Sequence, residues 1–139
     1  RLENKINPLF KNKNLTVPQI DIDIIEVKKP FLTAAYLAEI AAQEIEKGLP
    51  TRRVLKRASE KAKQQKEIIG FKVIAKGRVD GATIKRSEKI LWGRLPLSKL
   101  NADIDYCERQ VLTKSGIVGL KIWIYRGDKE KLNFENATA

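Results

Sequence analysis

The chain has 139 residues, 42% of them apolar and 32% charged, the balance of one ordinary folded domain rather than a disordered or fibrous chain. It contains no histidine and one cysteine, Cys107, which excludes His-dependent triads, an internal disulfide and any cysteine-cluster metal site. The net charge of +11 points to a polyanionic partner, nucleic acid ahead of an acidic membrane surface.

Residues 1–16 are polar, Asn-rich and patternless, and read as an arm or linker. The stretch "PQIDIDIIEV" alternates Ile20, Ile22 and Ile24 with Gln19, Asp21 and Asp23, which predicts a strand with one buried face. Lys28, Lys29 and Pro30 stop it. Thr33 suits the N-cap of a helix running to about Lys47, with Leu37, Ile40, Ala41 and Ile45 as its buried stripe and Gly48 as its end. A second helix is predicted from about Thr51 to Glu67. Its narrow seam is Val54, Leu55, Ala58 and Ala62, and bases fill the rest of its circumference over about 25 Å.

After Gly70 the pattern turns to strands. "FKVIAKGRV" leads to Asp80-Gly81, a hairpin signal, because glycine supplies the positive φ the turn needs. "TIKRSEKILW" returns antiparallel, and a connection through Pro96 follows. "ADIDYCERQVLT" sets Ile104 and Tyr106 against Asp103 and Asp105. Ser115-Gly116 then turns the chain into a strand that buries Val118, Leu120, Ile122 and Ile124. The tail 129–139 is polar. The expected architecture is α+β, in two layers: two helices followed by a four-stranded antiparallel sheet, with the helices on one face.

The charge is not spread along this plan. Residues 49–94 hold fourteen Lys or Arg against four acids, while the flanking thirds are close to neutral. Seven of the bases fall in "TRRVLKRASEKAKQQK", whose single acid is Glu60. The i,i+4 pairs Lys56–Glu60 and Lys63–Glu67 account for two charges and leave Arg52, Arg53, Arg57 and Lys61 with no acid nearby in sequence. Arg forks suit phosphate oxygens, so Arg52, Arg53, Lys56, Arg57, Lys61 and Lys63 are candidate nucleic-acid contacts, and Lys85, Arg86, Lys89 and Arg94 extend the field.

Other candidates weigh less. Gly116-Ile-Val-Gly119 has the spacing of the RNA-clamping loop of a KH domain, but it opens an apolar strand and carries no base, so a turn and close backbone packing explain it. Asp103 and Asp105 could serve acid–base or metal chemistry in a nuclease, yet nothing nearby supplies the rest of a site. Cys107 has no activating neighbour and reads as structural. Trp92, Trp123 and Tyr125 read as packing or RNA-contact surface rather than a stacking platform. No catalytic residue, metal site or cofactor is expected. No apolar run nears the length of a membrane span and no secretory signal is visible, so no membrane partner is expected. With no methionine and Arg1 at its start, the sequence is expected to be processed or a piece of something longer.

"GRVDGATIKRSE", "GRLPLSKLNADIDY" and "SGIVGLKIWIYRGD" together resemble the C-terminal domain of the bacterial and organellar small-subunit ribosomal protein S-three family. Upstream, "IDIIEVKKPFLTAAYLAEIAAQEIEKGLPTRRVLKRA" is similar to that family's strand, helix and basic helix, so the resemblance covers about residues 19–128. It implies a structural protein of the small-subunit head that binds rRNA of the 3′ head domain, lines the mRNA entry channel and contacts neighbouring head proteins. The family's RR-x-x-KR motif falls on Arg52, Arg53, Lys56 and Arg57, and its hairpin and loop bases on Arg78, Arg86 and Arg94. Asp80 stands where the family has a second hairpin glycine, Lys85 where it has alanine, and Ser115 where it has an aromatic residue. Residues 17–48 correspond to the last strand and helix of a type II KH domain, residues 49–128 to the C-terminal domain. A second chain or further segment is therefore expected to supply the rest of the KH unit. These departures from the bacterial pattern, the missing KH half and the Ile and Lys usage (16 and 19) together favour an organellar ribosome, mitochondrial before plastid, with the bacterial cytoplasm as the alternative.

Overall fold

Small and branched apolar residues at helical spacing produce two helices, α1 over Ala34–Glu46 and α2 over Thr51–Lys63. The computed structural model describes residues 22–128; the expected arm, Ile20 and the tail lie outside them. Four strands follow: β1 (Gly70–Gly77), β2 (Arg86–Gly93), β3 (Ala102–Thr113) and β4 (Gly116–Asp128). They form one antiparallel sheet in the order β2-β1-β4-β3, so the chain's first and last strands are the central pair. Both helices lie on one face of it, α1 over β3 and β4 and α2 over β1 and β2.

The core is the seam between the two layers. Leu37, Ala38, Ala41 and Ile45 of α1 and Val54, Leu55, Ala58 and Ala62 of α2 meet Phe71, Val73 and Ala75 of β1 and the alternating Val118, Leu120, Ile122 and Ile124 of β4. The alanines let both helices approach the sheet closely, and the branched residues of β4 fill the space between them. Ile40, placed in the α1 stripe from its spacing, is only half-buried. Gly70 and Gly93 are register partners where β1 and β2 begin and end. A Cβ on Gly70 would overlap the carbonyl of Arg94, so this close approach tolerates glycine alone.

Three expectations change. Residues 22–27 form no strand, and Ile24, Ile25 and Val27 are exposed. Period-2 alternation makes a strand only where a partner strand takes up the backbone hydrogen bonds, and none does so among the described residues. The second helix ends at Lys63 rather than near Glu67, because the chain turns at once to bury Ile68 and enter β1. β2 starts at Arg86 rather than Thr83. Asp80 and Gly81 do take positive φ (53° and 77°), but they sit inside an eight-residue connection, 78–85, whose polar groups are engaged elsewhere. α1 and α2 cover the same sheet and share one core.

Candidate nucleic-acid interface

α2 carries its bases on the side away from the sheet. Arg52, Arg53 and Lys56 are exposed and make no ion pair among the described residues. The two arginines stand in the first turn, where the helix dipole is already positive and where no acid of α2 offsets them. The compensation comes from the β1–β2 connection. Asp80 Oδ1 accepts a hydrogen bond from the Thr51 backbone N–H at 2.7 Å, caps α2 and sets a carboxylate at its positive end. The cap gives Asp80 a structural role at the position where the resemblance implies glycine. α1 is held the same way: Thr33 makes no side-chain cap, and Asp105 Oδ2 accepts from the Ala34 N–H at 2.7 Å. Asp80→Ala is expected to lower stability by about 1–2 kcal/mol, read as a lower urea midpoint at unchanged slope. An unchanged midpoint would mean that water replaces the cap without loss.

The rest of the basic helix is less available than its sequence implies. Glu44 of α1, largely buried, faces Arg57 Nη1 at 3.7 Å and Lys61 Nζ at 4.0 Å. Glu67 pairs with Lys29 rather than Lys63, because it lies past the end of α2 and no longer stands one turn from it. Lys56 and Glu60 form no ion pair, in keeping with the marginal strength of exposed pairs on one helix. Lys63 instead sits 5.7 Å from the centre of the Trp92 ring, which packs half-buried against the core. α2 therefore divides into Arg52, Arg53 and Lys56, open to solvent, and Arg57, Lys61 and Lys63, each already in contact with the protein.

The candidates beyond α2 separate as well. The Arg78 guanidinium donates to the Ala82 carbonyl from Nε and to the Ser115 carbonyl from Nη1, both at 2.9 Å, and clasps the connection to the β3–β4 turn. Since Thr51 meets Asp80 and Lys63 meets Trp92, α2 runs alongside β2 in the same direction. Lys85 and Arg86 are exposed at the end where α2 begins, and Arg94 is exposed at the end where it finishes. Lys89 alternates with Ile90 and Trp92, which pack on the helix side, and so lies on the opposite face of the sheet from α2.

Neither candidate carboxylate is placed for catalysis. Asp105 caps α1, and Asp103 accepts from Arg126 Nε at 3.1 Å and Nη2 at 3.3 Å where the β3–β4 register shifts. Among the described residues no group of three or more Cys, Asp or Glu could hold a metal ion. Burial, reinforced by the Asp105 carboxylate, pushes the Cys107 thiol pKa up, away from a reactive thiolate. Gly116 and Gly119 lie within β4, not in a loop between helices. Tyr125 is buried and donates to Asp128 at 2.9 Å, whereas Trp123 lies on the open face of the sheet. Sequence reasoning missed Asp80 and Glu44. Both act between separate elements, and no local pattern signals such a partner.

A profile described as Ribosomal protein S3, C-terminal domain, matches residues 41–124. Among curated proteins, the chain is 40% identical over 110 residues to "Small ribosomal subunit protein uS3c" of Porphyra purpurea, covering 79% of this chain and 47% of that protein. It is 42% identical over 110 residues to "Small ribosomal subunit protein uS3" of Synechocystis sp., covering 79% of this chain and 45% of that protein. It is 42% identical over 133 residues to the protein of the same name in Dictyoglomus turgidum, covering 95% of this chain and 54% of that protein. The chain thus spans about half the length of the curated relatives it matches. With two helices on a four-stranded antiparallel sheet and more than half its residues matched, the chain belongs to the ribosomal protein S3 family.

Proposed function

We propose that the chain is a structural, non-catalytic constituent of the small ribosomal subunit that binds rRNA of the head and borders the path of incoming mRNA. The observation that carries this reading is the trio Arg52, Arg53 and Lys56: three exposed cations on one helix, with no carboxylate partner among the described residues, on a helix anchored by Asp80. Lys85 and Arg86 continue the same cationic end, and Arg94 extends it along β2. The chain should co-migrate with small subunits in a sucrose gradient. Recovery only in the free-protein fractions, at normal expression, would overturn the reading. The bacterial and plastid relatives support a ribosome as the compartment and give no support to a mitochondrion ahead of a plastid.

Glu44 sets how much of α2 is offered to RNA. Glu44→Gln removes the charge that faces Arg57 and Lys61 and keeps the shape. It is expected to raise affinity for a short unstructured RNA by about fivefold for each cation released, at about 0.1 M salt, and to steepen the salt dependence by about 0.7 per cation. Affinity and slope equal to wild type would show that Arg57 and Lys61 already reach the RNA.

Residues 22–27 carry part of the predicted strand and pair with no strand among the described residues. We assign them to a sheet edge that a second chain or a further segment, the remainder of a KH unit, completes. Their amides should exchange rapidly in the isolated chain and slowly in the assembled particle; rapid exchange in both would refute the pairing.

A further inference from the structure

Asp80 stands among bases and pairs with none of them. It is one of four acids in residues 49–94, against fourteen Lys or Arg, and enters no ion pair among the described residues. Its carboxylate accepts instead from the Thr51 backbone N–H. To reach it, Asp80 holds a left-handed backbone, φ 53°, that strains most side chains and suits Asp, Asn and Gly best. A strained residue kept for one backbone contact points to position rather than charge. Arg78 is used in the same way, its guanidinium donating to the Ala82 and Ser115 carbonyls, both at 2.9 Å. Between the two, Val79 is buried, and a Cβ on Gly81 would come 3.3 Å from Ser115 Oγ. The 78–85 connection is thus tied to the start of α2 on one side and to the β3–β4 turn on the other. Thr51 and Asp80 also line an open cleft of about 500 Å³ with Gly48, Pro50 and Ser115, so solvent rather than packing takes over where that tie is cut. Lys85 and Arg86 lead out of this block, exposed and in no ion pair among the described residues.

We propose that Asp80 and Arg78 are positioning residues of the RNA site. They hold the 78–85 connection so that Lys85 and Arg86 stand at a fixed spacing from Arg52 and Arg53, and the two cation pairs grip one RNA strand together. The inference rests on the RNA-binding reading given above and deepens it. Arg78, a candidate contact by resemblance, then acts through the connection, with its Nε and Nη1 already donating to carbonyls. Two pairs on one rigid frame bind as a unit, because the second meets the strand without the loss of freedom that a loose loop suffers. Charge alone predicts the opposite for Asp80. A carboxylate near phosphates repels them, so its removal by itself would tighten binding. The two accounts differ in sign, and that difference decides between them.

The test measures binding of the full chain to a short unstructured RNA, with a urea midpoint for each variant to show that it is folded. Asp80→Gly removes the acid, relieves the backbone and cuts the tie, and is expected to bind RNA about fivefold more weakly than wild type. Asp80→Asn removes the same charge but keeps an oxygen for the Thr51 N–H, and is expected to bind at least as tightly as wild type. Arg78→Lys keeps the charge and loses the fork, and is expected to weaken binding by about the same fivefold. A double-mutant cycle gives the readout that a merely stabilising cap leaves unmoved. Lys85→Ala/Arg86→Ala should lower affinity about fivefold less in the Asp80→Gly chain than in wild type. If the urea midpoint shows Asp80→Gly unfolded, the same cycle run in Arg78→Lys decides by the same ratio. Equal losses in the two backgrounds, Asp80→Gly binding as tightly as wild type, or Asp80→Asn falling with it, overturn the role of Asp80. Wild-type affinity for Arg78→Lys overturns that of Arg78. Either result, with a wild-type chain that binds RNA and loses it as salt rises, leaves the RNA reading standing; a wild-type chain that binds no RNA overturns both.

Discussion

Replacing Arg52 and Arg53 together by alanine is expected to weaken binding to single-stranded RNA about 25-fold at about 0.1 M salt, with the slope of log K against log salt flatter by about 1.4. Each phosphate contact on a single strand contributes about 0.7 to that slope, so two lost contacts account for both figures. The fold should not suffer. Both side chains are exposed, and both stand at the positive end of the α2 dipole, so their removal relieves repulsion instead of breaking a contact. A urea midpoint equal to or slightly above wild type, measured beside the binding curve, separates this variant from a misfolded one. In assembled ribosomes the double variant should impair entry of structured messages more than subunit assembly, which other surfaces share. Ribosomes that open a message hairpin at the wild-type rate would refute the entry role for Arg52 and Arg53.

Which residues could be chosen for that experiment was partly legible in the sequence. The seam Val54, Leu55, Ala58 and Ala62 identifies the buried side of α2, and by exclusion the side that carries Arg52, Arg53 and Lys56. β4 was equally readable, because Val118, Leu120, Ile122 and Ile124 alternate into the core. What the sequence obscured was every interaction between distant segments. Arg57 and Lys61 look unpaired along the chain and face Glu44 across the helix–helix contact. Asp105 resembles half of a catalytic pair and caps α1, 71 residues away in sequence. Asp80 looks like a turn residue and caps α2, which also lengthens the hairpin connection beyond what Asp80-Gly81 alone predicts. The Ile20–Ile24 alternation failed in the described residues for a related reason. A strand is a relation between two segments, and a single segment records only its half of it.

Phe71→Ala is expected to produce the largest loss of stability, about 3–5 kcal/mol, a substantial share of the 5–15 kcal/mol typical of a domain. Phe71 is fully buried on the central strand β1, between its register partners Trp92 and Ile124. Its ring lies in the cluster that also holds the undersides of both helices. Truncation removes contacts on several sides at once, and the rigid sheet beneath cannot collapse to refill the space. Below the new urea midpoint, RNA affinity per folded molecule should stay close to wild type, because Arg52, Arg53 and Lys56 are untouched. The pairing with Arg52→Ala/Arg53→Ala is therefore informative in both directions: one variant changes binding at constant stability, the other stability at constant intrinsic binding. A loss under about 1 kcal/mol for Phe71→Ala would mean that the layers are held elsewhere, most directly at the β3 side where Asp105 ties α1 to the sheet. In that case Asp105→Ala should cost more than Phe71→Ala, and the order of the two urea midpoints decides between them.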